Sequence, residues 1–237
     1  MKPTTLALVA ASLLLPGLSQ AQLSFNAGVT SDYRYRGISQ TRVKPAVQGG
    51  LDYAAGSFYV GAWASTIKWV KDFGGDAGVE LDLYGGWKGE VAKDLTLDAG
   101  VLTYQYPGNK LNPSANTTEL YGALSLGVLT AKYSHALTDT FGNPDSKNSG
   151  YLDLSASVDL GGGYSLVPHV GHQKITGPVG GPASYTDYSL TVSRDFSGVV
   201  LSAALIGTNA DKTFYSSPAN GKALGKSTLV LGAKLNF

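Results

Sequence analysis

Residues 151–159 read Tyr-Leu-Asp-Leu-Ser-Ala-Ser-Val-Asp. In an extended chain Leu152, Leu154, Ala156 and Val158 fall on one side, and Asp153, Ser155, Ser157 and Asp159 on the other. This is a period of two, the mark of a β-strand with two unlike faces. A helical period of 3.6 would scatter the same apolar positions around the axis.

The pattern recurs along most of the chain. Leu23, Phe25, Ala27 and Val29 continue with Tyr33 and Tyr35, against Ser24, Asn26, Gly28, Thr30, Asp32, Arg34 and Arg36. Val47, Leu51 and Tyr53 oppose Gln48 and Asp52. Val79, Leu81 and Leu83 oppose Glu80, Asp82 and Tyr84, and Leu95, Leu97 and Val101 oppose Thr96 and Asp98. Leu120 and Leu124 oppose Glu119, and Leu129 and Tyr133 oppose Lys132. Similar alternation covers the segments around Leu190 and Leu201, and the last runs from Leu229 to Phe237. Phe58 to Trp69 is apolar on both sides, so its facing stays open, and Tyr164 to Lys174 is weaker because Pro168 lies inside it. Together these make about twelve candidate strands. The connections alternate between short and long, with short ones near Ala55-Gly56-Ser57, Gly127, Gly161-Gly162-Gly163 and Ser197-Gly198.

The chemistry of the two faces points to a membrane barrel. One face is Leu, Val and Ala; the other is Gly, Ser, Thr and Asp with few long charged side chains. A soluble sandwich buries its apolar face and charges the other. Lipid outside and a polar lumen inside account for the pattern here. An open sheet in lipid would leave its edge amides unsatisfied, so the sheet must close. Ten residues at ~3.3 Å per residue, tilted ~40°, reach roughly 25 Å, the height of an outer-membrane apolar band. The expected fold class is therefore all-β: a transmembrane antiparallel up-and-down β-barrel of about twelve strands. Its backbone radius would be roughly 12 Å, which leaves a narrow channel once side chains and loops enter. Phe25, Tyr53, Trp87, Tyr164, Phe196 and Phe237 lie near short-turn ends; Tyr33, Tyr35, Trp69, Tyr104, Tyr106, Tyr133 and Tyr151 lie near loop ends. Two aromatic belts at the membrane interfaces are the expectation.

Residues 1–21 read as a cleaved export signal. Lys2 is followed by the apolar run Leu6 to Leu15, then by Pro16, Gly17 and the small-residue site Ser19-Gln20-Ala21. The run is about 10 residues, short of the ~20 of a spanning helix. Cleavage between Ala21 and Gln22 would leave 22–237 as one outer-membrane barrel domain. The 237-residue chain has a formal charge of only +1, which excludes the basic face of a nucleic-acid binder. With no cysteine it has no disulfide, thiolate metal site or thiol chemistry. The final strand carries Gly232, Leu235 and the terminal Phe237, and resembles the recognition strand read by the barrel-assembly machinery.

One stretch is distinctive. Ser31 to Thr41 reads SDYRYRGISQT, followed by Pro45 to Gly50 and then Gly56 to Trp63. It resembles the N-terminal signature of the TorF family of porin-like proteins, small outer-membrane barrels of Gram-negative bacteria. The resemblance implies a passive pore and no catalytic residues. The facing of the strands makes Asp32, Arg34, Arg36, Glu80, Asp82, Asp98, Glu119, Lys132, Asp153 and Asp159 the expected pore lining, with Arg34 and Arg36 as the functional charge below the first loop. The alternative for each is a cross-strand pair that holds the wall together. The expected partners are outer-membrane lipid and lipopolysaccharide, the assembly machinery and small solutes, with no nucleic acid, cofactor or metal. Two other readings are a closed structural or adhesive barrel and an outer-membrane lipid hydrolase. For the hydrolase only His135, His169 and His172 are candidate bases, and no serine sits in a nucleophile elbow.

Overall fold

The computed structural model describes residues 21–237; the expected signal segment lies outside them except for Ala21. Twelve strands follow one another around a closed antiparallel barrel. They are β1 (Gln22–Thr30), β2 (Ala46–Ala55), β3 (Phe58–Thr66), β4 (Val79–Ala92), β5 (Leu95–Gln105) and β6 (Thr117–Leu126). Then come β7 (Leu129–Ala136), β8 (Gly150–Ala156, resuming after Ser157 as Val158–Gly161), β9 (Tyr164–Lys174), β10 (Tyr185–Phe196), β11 (Val199–Thr208) and β12 (Thr228–Asn236). The break in β8 lies beside Pro168 of β9, which has no N–H to give to its neighbour. The fold class and the strand number agree with the reading of the sequence.

Each strand pairs with the next, and β1 pairs with β12 in the register Asn26↔Asn236 to Thr30↔Gly232. Beyond that ladder Phe25 and Phe237 exchange both backbone hydrogen bonds, at 2.8 and 3.0 Å. Their rings stack at 5.9 Å. The last residue of the chain thus locks the seam.

Two-residue turns join the strands at one end. At Ser197-Gly198 both residues are left-handed (φ 58° and 101°), as a tight hairpin on twisted strands requires. The other end carries the long loops L1 (31–45), L2 (67–78), L3 (106–116), L4 (137–149), L5 (175–184) and L6 (209–227). The helices are single turns, Trp69–Asp72 in L2 and Gly180–Ala183 in L5.

Alternation sorts the side chains as the sequence indicates. Leu23, Val47, Leu83, Leu124, Leu190 and Leu231 are exposed on the outer face. The undecided strand β3 turns Phe58 and Val60 outward and puts Tyr59, Trp63 and Ser65 inside. The turn-end belt is present, with Phe25, Tyr53, Tyr164, Phe196 and Phe237 exposed and Trp87 half-buried, and Phe58 joins it.

The loop-end belt is a correction. Tyr33, Tyr104, Tyr106 and Tyr151 are buried, Tyr35 packs against the same interior cluster, and Trp69 sits in the L2 helix. Only Tyr133 of that group is exposed on the outside. Parity is the reason. Tyr104 shares the inward parity of Asp98 on β5, and Tyr151 shares that of Asp153 on β8.

Inside, tyrosine rings lie across glycines of the next strand. Tyr84 faces Gly61, Tyr59 faces Gly86, and Tyr121 faces Gly100 in register. A Cβ at Gly61 would come within 2.5 Å of the Tyr84 ring. The flattened rings bring their hydroxyls to wall carboxylates: Tyr84 donates to Asp52 and Tyr59 to Asp98, both at 2.5 Å. Gly61→Val should therefore lift Tyr84 off the wall and cost about 1–3 kcal/mol. Gly122→Val should be near neutral, because Gly122 has open space beside it. Urea unfolding of the purified barrel, followed by heat-modifiable gel mobility, measures both; equal midpoints would remove the ring-on-glycine account.

Candidate functional site

L1 is built to leave the wall. The last contact of the outgoing strand is Ser31 N–H to Leu231 O at 2.8 Å. The chain then turns inward at Asp32, whose buried carboxylate closes the loop on itself. It accepts from Ser39 Oγ at 2.5 Å, Thr41 Oγ1 at 3.0 Å and Arg34 Nε at 2.8 Å. Between these anchors Arg34–Tyr35 and Ile38–Ser39 form a miniature hairpin. Its turn is Arg36-Gly37, with φ of 45° and 79°. Left-handed backbone at an arginine is strained, and such strain persists only where the surroundings hold it. Here they do: a Cβ at Gly37 would meet Thr208 at 2.4 Å and Asp187 at 2.8 Å, so only glycine fits against β10 and β11.

Arg36 spans three strands of the barrel. Nη2 donates to Glu119 of β6 at 2.7 Å and Nη1 to Gln173 of β9 at 2.5 Å. The guanidinium lies 4.7 Å from the Tyr35 ring and 4.2 Å from the ring of Tyr151 on β8. Glu119 also accepts from Tyr104, and Tyr35 donates to Tyr104 at 2.7 Å. The Tyr33 hydroxyl donates to Glu80, which accepts a second bond from Tyr106 at 2.9 Å. Burial and the Glu80 carboxylate push the Tyr106 hydroxyl well above its usual range, so it stays a donor.

Apolar packing fastens L1 at both sides. Tyr33 joins Ala46, Ile67, Val70, Ala77 and Tyr104 in one buried cluster. Ile38, near the hairpin tip, joins Tyr185 and Leu224 in another across the lumen. L1 is therefore a bar across the barrel, with a cavity on either side. Toward the turns lies one of about 320 Å³, bordered by Arg34, Arg36, Lys132, Asp153, His169 and Asp187. There His169 Nε2 is 2.8 Å from Asp153 and Nδ1 is 3.6 Å from Asp187. Toward the loops lies one of about 570 Å³.

The expected lining residues divide into groups. Asp32, Arg34 and Arg36 lie in the lumen but on L1, not on the wall, because β1 ends at Thr30. Both arginines are paired, Arg34 with Asp32 and Arg36 with Glu119. Glu80 and Glu119 are buried beneath L1. Asp82 shares the inward parity of Glu80, and its Oδ1 has no hydrogen-bond partner among the described residues. Asp98 accepts from Tyr59, and Lys132 stands 4.2 Å over the Tyr121 ring. Asp153 pairs with His169. Asp159 departs from the set: it is exposed at the turn end and accepts the Gly161 N–H at 2.7 Å. Gly232, Leu235 and Phe237 sit on or just beyond β12 at the seam. On the outer face His172 Nδ1 lies 3.0 Å from Thr186 Oγ1. Among the described residues no group of three or more His, Cys, Asp or Glu could hold a metal ion.

The reading of the sequence missed the tyrosines that carry the network, and also Gln173, His169 and Asp187. Inward parity was the available signal for Tyr104, Tyr151, His169, Gln173 and Asp187; Tyr33 and Tyr35 have outward parity and enter the lumen only because L1 leaves the wall.

The barrel resembles known outer-membrane porins in fold. A KdgM porin, solved in complex with disordered oligogalacturonate, superposes with a TM-score of 0.58 at 6% identity, over 92% of this chain and 99% of that one. The NanC porin gives 0.55 at 10% identity, over 91% and 99%. A comparison with curated protein sequences finds no match. Residues 16–237 match the family described as "Bacterial protein of unknown function (Gcw_chp)", and the chain belongs to that family.

Proposed function

We propose that the protein is a narrow porin-like channel of the bacterial outer membrane, of the TorF type its first loop resembles. Ions and small hydrophilic solutes would diffuse passively through it. The observation that carries this reading is the closed barrel with an aliphatic outer face and a polar lumen spanned by one pinned loop. A leucine-rich outer band is costly in water and favoured in lipid. The long loops then face outside and the two-residue turns face the periplasm. Residues 1–21 would direct export, with cleavage after Ala21. The Phe237 strand would be read by the assembly machinery.

Charge selectivity should be weak. Arg34 and Arg36 are neutralised by Asp32 and Glu119, and the charges left in the lumen, Asp52, Asp82, Asp98, Asp153 and Asp187 against Lys132, are of both signs with an acidic excess, so the weak preference is for cations. A second reading, a closed structural barrel, draws on the same L1, which lies between the two cavities.

The refolded chain from Gln22 in a planar bilayer under a salt gradient should give small discrete conductance steps, with a small reversal potential of the cation-selective sign. A folded but silent barrel would favour the closed reading.

Arg36→Ala should raise single-channel conductance and its noise. It leaves Glu119 buried without its cation, a loss of about 3–5 kcal/mol for the pinned loop. Arg36→Lys should restore part of the pinning, since an ammonium lacks the two-pronged geometry. Trypsin should cut at Arg34 in folded Arg36→Ala and spare Arg34 in the wild type. Uncut L1 with unchanged conductance would show that the apolar clusters alone hold the loop.

A further inference from the structure

The loop-side cavity differs in chemistry from the one below it. Its rings include Tyr35, Trp69, Tyr106, Phe141, Phe214 and Tyr215. They meet edge to face: Trp69 and Tyr106 at 5.1 Å and 83°, Tyr35 and Phe141 at 5.3 Å and 72°, Phe214 and Tyr215 at 4.9 Å and 71°. Edge-to-face packing engages one face of a ring and leaves other faces free. Phe73, at the rim, is 56% exposed although it lies in a loop outside the aliphatic band.

Between the rings stand the amide side chains of Gln40, Asn112 and Asn143, while that of Gln173 is engaged with Arg36 and Gly150 O. The sole charged lining residue among those described is Lys110, paired with Asp76 at 3.2 Å. Trp69 also carries an indole N–H that finds no acceptor among the described residues. Its place is set by L1, because Gln40 O accepts from the Lys68 and Trp69 N–H groups at 2.8 and 3.3 Å. Arg34 and Arg36 border the other cavity.

A neutral site of rings and planar amides matches one class of hydrophilic solute. A pyranose presents C–H faces that stack on aromatic rings and hydroxyls that both donate and accept. An amide can satisfy a hydroxyl in either role. An anion would find no unpaired cation here. A purely aromatic guest would strip water from the amides without replacing it. The volume of about 570 Å³ lies in the usual range of small-molecule sites, ~300–1,000 Å³.

We propose that the loop-side vestibule binds an uncharged saccharide of about disaccharide size, stacked on the Trp69, Phe141 and Phe214 rings and held by the Gln40, Asn112 and Asn143 amides. This deepens the channel reading by naming a solute class, and rests on it only for the passage that follows binding.

The test is binding by the refolded chain from Gln22 in micelles of lauryldimethylamine oxide, a detergent with no sugar headgroup. Cellobiose, maltose and lactose are titrated, with tryptophan fluorescence and saturation-transfer NMR as readouts. At least one should bind saturably, with Kd in the range ~0.1–10 mM. Trp69→Phe should remove most of the fluorescence change, and Phe214→Ala should weaken binding roughly 10-fold. Phe73→Ala, at an exposed rim position that folding tolerates, should weaken it several-fold. Digalacturonate, which keeps the rings and adds charge, should bind at least 10-fold more weakly. The proposal is overturned if none of the three sugars binds. Digalacturonate or benzyl alcohol binding the vestibule as tightly as the best sugar would overturn it too. Sugar binding by a barrel that is silent in bilayers would leave the vestibule standing and remove the channel.

Discussion

A closed sheet leaves no strand edge, and the rest of this molecule follows from that constraint. With every strand paired on both sides, the backbone has no polar group to show to lipid. Closure also divides each strand's side chains between an outside and an inside, with no third option. The outside becomes Leu and Val. The inside must then fill a cylinder without a continuous apolar core. Small residues keep the far wall open, while tyrosines lie across glycines and direct their hydroxyls to Asp52, Asp98 and Asp187. Carboxylates that would otherwise sit in a confined lumen are thus tied to neutral donors.

L1 turns this lined cylinder into two compartments. Its charges are consumed in holding it: Asp32 shapes the loop from within, and Arg36 ties it to β6 and β9. The residues that look most like solute-facing charges in the sequence are the ones most engaged in structure. The compartment below keeps charges of both signs, whereas the one above is aromatic and neutral. A solute would therefore meet two successive chemistries separated by one hairpin.

Much of the fold was legible, because period two survives without knowledge of any partner. Ten of the twelve candidate segments alternate clearly, and all twelve became strands. Position along the strand was less legible than parity. Tyr104 and Tyr151 stand near strand ends, which suggests an interface belt, yet their parity puts them inside. The first loop was hidden for a different reason. Asp32 to Arg36 alternates as cleanly as the strand before it, so nothing local marks Thr30 as the end. What bends the chain inward are Glu80, Glu119, Gln173 and Thr208, remote in sequence and adjacent only after closure. Gly37 was the one local hint, a residue that fits a tight turn against a wall.

The pairing of β1 with β12 has a bearing on how the molecule comes to exist. The first and last strands are about as far apart in sequence as this chain allows, and contacts of that span form slowly. Until they meet, both strands present open edges, and L1 has no far wall on which to rest. Maturation is then close to all-or-none: the lumen, the bar across it and both compartments arrive together with the final residue. A chain shortened by a single strand would be an open, adhesive sheet and not a smaller version of the same barrel.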